Sequence, residues 1–179
     1  MKSKALFLDR DGVINIDYGY VFKIDSFKFI DGIFELCLEA NKLGYKIIII
    51  TNQSGIGRGY FSENQFQVLT QWLENYFKTK DIIIEKTYFC PHHKDAKIGK
   101  YKKECFFRKP NPGMILKAAE DHNIDINESI LIGDKSSDIQ AGKSAGIKKN
   151  LFLKNELYQL SENQHCKIID NLVEAVNYL

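Results

Sequence analysis

Short apolar runs at residues 5–8, 46–50, 86–89, 129–132 and 150–153 punctuate the chain, and between them apolar residues recur every three or four positions. The first pattern is that of β-strands, the second that of helices with one buried face. Their alternation predicts an α/β fold, a Rossmann-like three-layer sandwich with a central parallel sheet covered on both sides. Ile47-Ile48-Ile49-Ile50 is apolar on both pleat faces, as a strand in the middle of such a sheet must be.

Helix ends carry their own signals. Ile33, Leu36, Cys37, Ala40 and Leu43 share a helical face, and Gly44 can end it in the left-handed conformation. Ser62 and Gln65 make a capping-box pattern ahead of Phe66, Leu69, Leu73 and Phe77. The stretch 114–122 is amphipathic and 137–145 ends at Gly146. Residues 171–179 place Leu172, Val173, Val176 and Leu179 on one face, which reads as core packing.

With 44% hydrophobic and 27% charged residues the chain has the balance of a soluble globular protein. A net charge of +2 is too small to favour nucleic acid or an anionic membrane as a partner. No repeat or linker divides the 179 residues, so 1–179 is expected to form one domain and to act as a monomer. No apolar run approaches the ~18 residues of a membrane span. Met1-Lys2-Ser3-Lys4 leads into a strand and not into a signal peptide, which predicts a cytoplasmic protein. Cys37, Cys90, Cys105 and Cys166 are then thiols or metal ligands in preference to disulfides.

Four polar clusters follow strands or precede helices. In Asp9-Arg10-Asp11-Gly12 the two carboxylates sit two residues apart, on one side of an extended chain, where a cation would keep both ionised. Thr51-Asn52-Gln53-Ser54-Gly55-Ile56-Gly57-Arg58-Gly59 offers a hydroxyl, an amide and glycine amides suited to a phosphate, or merely a turn. Arg108-Lys109-Pro110 brings a point charge and a planar fork for anions, or two solvated cations. Gly133-Asp134-Lys135-Ser136-Ser137-Asp138 places an acid at a strand end, and Asp9 with Asp134 would suffice as the carboxylate ligands of magnesium. Asp138, one turn later, suits a helix cap or a supporting role better than a ligand.

In this order, Asp-x-Asp-Gly, Thr-Asn, Lys-Pro and Gly-Asp-x-x-x-Asp resemble the haloacid dehalogenase superfamily of phosphohydrolases over residues 9–138. Asp9 to Asn15, Asp17-Tyr18-Gly19-Tyr20-Val21, Thr51 to Gly59 and Cys90-Pro91-His92-His93 are similar, more closely, to the D,D-heptose 1,7-bisphosphate phosphatase family. The resemblance implies a magnesium-dependent phosphatase that removes the C7 phosphate of D-glycero-D-manno-heptose 1,7-bisphosphate through an aspartyl-phosphate. It implies a haloacid dehalogenase fold, and the short segments between clusters leave no room for a separate cap domain. By that resemblance Asp9 is the nucleophile, Asp11 the general acid and base, and Thr51 and Lys109 steady the phosphoryl group. Magnesium would sit on the Asp9 carboxylate, the Asp11 backbone carbonyl and Asp134. Asp17, Tyr18, Gly19 and Tyr20 of a flap, with Asn52, Gln53, Ser54 and Lys135, would contact substrate, and Arg108 would clamp its second phosphate.

The same family carries a zinc loop reading Cys-x-His, a long stretch, then Cys-x-Cys. Cys90, His92 and Cys105 match, but Phe107 stands in the last cysteine's place, and a closed zinc site needs four ligands. The shortfall leaves two readings of the loop insertion at about 90–107: zinc with water or His93 as its fourth ligand, or, the expected one, a loop held by packing of Phe106 and Phe107 in place of zinc. Its Lys94, Lys97, Lys100, Lys102 and Lys103 read as a solvated face, and His122 and His165 as structural or surface histidines. Histidinol phosphate is the rival substrate. A phospho-accepting receiver domain is the rival class, and it would need an acid where Thr51-Asn52 follows the central strand.

Overall fold

The computed structural model describes residues 2–156, 158 and 166–179, so His165 lies outside the described residues. Strands β1 (Lys4–Leu8), β2 (Tyr45–Asn52), β3 (Ile84–Cys90), β4 (Ile130–Gly133), β5 (Lys149–Leu153) and β6 (Lys167–Ile169) pair in parallel in the order β3-β2-β1-β4-β5-β6. The winding therefore reverses between β1 and β4, and at such a point the loops beyond the strand ends diverge and leave a crevice.

Side chains alternate across the sheet into two cores. Leu6, Leu8, Ile47, Ile49, Ile130 and Ile132 face the helices α1 (Ile33–Lys42), α3 (Glu63–Lys78) and α6 (Leu172–Ala175). Ala5, Phe7, Ile48, Ile50 and Leu131 face α4 (Gly113–Asp121) and α5 (Ser136–Ala145). Both faces of β2 are thus buried, as its isoleucine run requires. The capping box at Ser62 forms, with Gln65 N–H donating to Ser62 Oγ at 3.1 Å and Ser62 N–H to Gln65 Oε1 at 2.9 Å. Gly44 and Gly146 end their helices with φ of 81° and 97°. No helix among the described residues is long and apolar enough to cross a membrane.

Two expectations are corrected, and one strand is new. β6 carries no signal of its own: it is three residues long, and only Ile169 is buried. β2 continues through Thr51 and Asn52, which pair with Phe89 and Cys90, so these two residues are strand and not loop. The last segment is one α-turn followed by a 3₁₀ turn, Val176–Tyr178. It buries Leu172 and Ala175 and leaves Val173 57% exposed, because its short helix turns a different face to α1.

Candidate active site

Asp9 leaves the end of β1 and Asp134 the end of β4, at the reversal point of the sheet. The Arg10 backbone N–H donates to Asp9 Oδ1 at 2.7 Å, and Lys109 Nζ lies 2.8 Å from the same oxygen. Lys109 Nζ also pairs with Asp138 Oδ1 at 2.7 Å and donates to the Ile50 carbonyl at 2.9 Å. Lys109 is 3% exposed, so an ammonium is held out of water by two carboxylates and a strand end. Burial alone would lower its pKa, but Asp138 and Asp9 outweigh that and raise it.

The carboxylates move the other way. Burial lifts Asp9 to about 6, with Lys109 opposing and Asp138 reinforcing the rise. Burial, with the charge of Asp9, lifts Asp134 to about 8. Oxygens of Asp9, Asp134 and Asp138 lie within 4.8 Å of one another. Asp138 is already spent: Oδ1 pairs with Lys109, and Oδ2 accepts from Lys135 N–H at 3.0 Å and caps α5. Asp134 Oδ1 is buried and accepts no hydrogen bond from the described residues. Gly12, at φ +100°, makes room for that carboxylate, since a Cβ there would fall 1.9 Å from Asp134 Oδ2. Asp9 and Asp134 thus form a hard, oxygen-only pair whose crowded charge suits a divalent cation such as magnesium.

Asp11 is treated differently from its neighbours. Arg10 Nη2 donates to both of its oxygens at 2.9 Å, Asn15 Nδ2 to Oδ1 at 3.1 Å and Gln53 Nε2 to Oδ2 at 2.9 Å. Burial would raise Asp11, but the Arg10 charge and these bonds hold it below the ordinary carboxylate range. Arg10 itself is 1% exposed and also donates to the Val21 carbonyl at 2.6 Å, tying the flap to the acid pair. Neither Arg10 nor Asn15 stands out in the sequence as a site residue. Only the burial of a full-length arginine beside two acids marks them.

A cavity of about 440 Å³ opens above this group, lined by Asp11, Asp17, Gly19, Tyr20, Asn52, Gln53, Ser54, Arg108, Lys109 and Lys135 among others. Asp9, Thr51 and Asp134 are buried behind that lining. Tyr18 is not brought to it; its ring is 57% exposed, beside Lys28. Asn52 lines the cavity with its amide already engaged, donating to the Lys109 carbonyl at 3.0 Å and accepting from the Lys109 N–H at 3.1 Å. Gln53 turns inward to Asp11 and to Thr51 Oγ1, 2.9 Å away. The glycines after Ser54 do not form an open loop but the short helix α2 (Ser54–Arg58). Gly57 is needed for close packing there, since a Cβ would meet the Pro91 carbonyl at 2.6 Å.

Cys90 Sγ lies 3.7 Å from His92 Nδ1, and with Cys105 the three candidate ligand atoms fall within 4.8 Å of one another. Burial pushes the Cys90 thiol up to about 12. Phe106 and Phe107 are 58% and 40% exposed, so packing of these rings does not hold the loop. The anchor is elsewhere: Ala96 and Tyr101 join Ile56, Phe61 and Phe66 in a separate core. The Lys97 and Ile98 N–H groups donate to the Gly57 carbonyl at 2.9 and 3.0 Å. His122 pairs with Glu85 at 3.0 Å, a structural role.

The chain is similar to known proteins in both sequence and fold. The HAD-hydrolase-like family model matches residues 106–175. The chain is 56% identical over 153 residues to the D-glycero-alpha-D-manno-heptose-1,7-bisphosphate 7-phosphatase of Burkholderia mallei, covering 86% of this chain and 81% of that one. It is 49% identical over 179 residues to the D-glycero-beta-D-manno-heptose-1,7-bisphosphate 7-phosphatase of Haemophilus influenzae, covering 99% and 97%. Among solved structures, a HAD-like phosphatase from Mesorhizobium loti superposes with a TM-score of 0.87 at 28% identity, covering 99% of this chain and 87% of that one. The D,D-heptose 1,7-bisphosphate phosphatase of B. bronchiseptica, complexed with magnesium and phosphate, has a TM-score of 0.81 at 23% identity, covers 98% and 97%, and shares the fold.

Proposed function

The chain belongs to the heptose-1,7-bisphosphate 7-phosphatase family, and on that footing we propose that it hydrolyses D-glycero-D-manno-heptose 1,7-bisphosphate to heptose 1-phosphate and inorganic phosphate. The observation that carries this reading is the buried Asp9–Lys109 pair beneath a cavity that also presents Arg108. Asp9, Asp134 and the Asp11 backbone carbonyl would hold magnesium. Bound there, it supplies positive charge that offsets the repulsion between an anionic phosphate and an anionic nucleophile.

The residues divide the chemistry. Among the described residues, the Arg10 N–H and the Lys109 ammonium both meet the Asp9 carboxylate at Oδ1, which leaves Oδ2 as the attacking oxygen. Oδ2 bonds to phosphorus as the bond to the sugar oxygen breaks; Asp11, ionised in the resting site, takes up a proton beside the arriving anionic phosphate and gives it to that oxygen. Asp11 then takes a proton from the water that attacks the aspartyl-phosphate, and phosphate leaves as the Asp9 carboxylate is restored. Lys109 and the Thr51 hydroxyl steady the phosphoryl oxygens throughout. The half-buried Arg108 donates to the His92 carbonyl at 3.3 Å and has no carboxylate partner among the described residues, which suits it to the second phosphate. Cys90, His92 and Cys105 offer zinc only three of four ligands, and the loop's own contacts support a metal-free reading of it.

The test is magnesium-dependent phosphate release from both anomers of the heptose bisphosphate and from histidinol phosphate, with Asp9→Asn as the blank. The relatives divide between the two anomers, so both are needed. One anomer is expected to exceed histidinol phosphate in kcat/KM by about a hundredfold or more, the discrimination available when a charged group loses its partner. A better rate on histidinol phosphate would overturn the substrate and the role of Arg108, while leaving the reaction class intact.

A further inference from the structure

We propose that Tyr158 is a positioning residue for this reaction, its ring capping the Lys135 ammonium and fixing it at the cavity wall between the flap and the loop that carries Asp134. Lys135 Nζ pairs with Asp17 Oδ2 of the flap at 3.1 Å, and it also meets the Asp11 carbonyl at 3.1 Å and Asp134 Oδ1 at 3.6 Å. The last two are oxygens that magnesium would take, so with the ion bound the ammonium keeps only Asp17 of the three. On a four-carbon stem it then has several places to go. The Tyr158 ring lies 4.8 Å from Lys135 Nζ and lines the same cavity, so it covers the remaining side with the negative face of its π system.

Tyr158 is held for this task. Its backbone N–H donates to Asn155 Oδ1 at 2.8 Å, and Asn155 Nδ2 donates to the Asp134 carbonyl at 3.2 Å. A chain of two hydrogen bonds thus registers the ring against the residue preceding Lys135. The sheet order sets Tyr158, beyond β5, on the opposite flank of β1 from Arg108, which follows β3. Arg108 can hold the distal phosphate while Tyr158 governs the cation beside the reacting end. The ring is 37% exposed, so its loss removes no core packing.

The inference rests on reading Lys135 as a substrate-facing residue, and a double-mutant cycle tests it. Tyr158→Leu is expected to lower kcat/KM for the heptose bisphosphate about five- to tenfold, mainly through KM, as a partly desolvated cation–π contact allows. Tyr158→Phe keeps the ring and should restore kcat/KM to within about twofold of wild type. In a Lys135→Met background, Tyr158→Leu should cost nothing further, because its partner is gone. Additive losses in the double variant, a loss in Tyr158→Phe equal to that in Tyr158→Leu, or wild-type kcat/KM in Tyr158→Leu would each overturn the proposal. Should the wild type ignore both heptose anomers, the substrate assignment fails, while the same cycle run on p-nitrophenyl phosphate still decides the role of Tyr158.

Discussion

Arg10 separates the two aspartates of the first cluster and gives them opposite characters. Its backbone N–H holds Asp9, and its side chain holds Asp11 ionised against burial. A lowered pKa means that Asp11 stabilises the fold above the ordinary carboxylate range, a contribution lost as pH falls through its own value. Arg10→Met leaves burial unopposed. The expected outcome is a loss of about 3–5 kcal/mol in urea unfolding near neutral pH, as for a broken buried pair. The alkaline limb of the kcat/KM profile, above which Asp11 has no proton to give, should also move to higher pH, and an unmoved limb would mean that Arg10 does not set the state of Asp11. The spacing of Asp9 and Asp11 was legible because the chemistry needs it. Arg10 was not, because an arginine in a polar cluster reads as solvated until the fold closes around it. Gln53, which the resemblance gave as a substrate contact, lines the cavity while it spends its amide on Asp11 and Thr51, and that second duty has no signal in the sequence.

Among the elements, the Cys/His loop departs furthest from its sequence reading. The missing fourth ligand was legible at Phe107; the anchor was not, because Ala96 and Tyr101 lie among lysines that mask their burial. Since the loop docks on α2 through the Gly57 carbonyl and that small core, protein stripped of metal by a chelator should recover full turnover on adding magnesium alone. A requirement for zinc in that recovery would show that three ligands suffice after all. Gly12 is the complementary case at the β1 loop. Gly12→Ala forces a Cβ onto Asp134 at φ +100°, and magnesium-dependent activity should fall below about a hundredth of wild type, checked by phosphate release. Strand β6 was invisible because three residues with one buried position cannot display an alternation.

Across the whole molecule, the acid pair at the reversal point links stability to pH. Asp9 at about 6 and Asp134 at about 8 both stand above the ordinary value of 3.8, so folding favours their protonated forms. That contribution is complete below about pH 4 and is lost as pH rises through about 6 and then about 8. Metal-free protein should therefore lose thermal stability across this interval, and added magnesium should raise Tm more at about pH 9 than at about pH 5, where it must displace protons. A magnesium increment independent of pH would argue against these two carboxylates as its seat. The layered architecture itself was legible from the alternation of runs and periodic stretches. The strand order was not, because it is fixed by which loops cross over, and only the site motifs hinted at it.

The reciprocal amide clasp between Asn52 and the backbone of Lys109 makes two distant stretches of chain into one inherited part. What carries the bond-breaking is locked to strand ends and to that clasp, whereas Tyr20, Ser54, Arg108 and Tyr158 hang on the rim. A protein engineer, like natural drift, can therefore exchange the rim to admit another phosphorylated metabolite without rebuilding the machinery underneath. Diversity among relatives should accumulate at the rim and stop at the clasp.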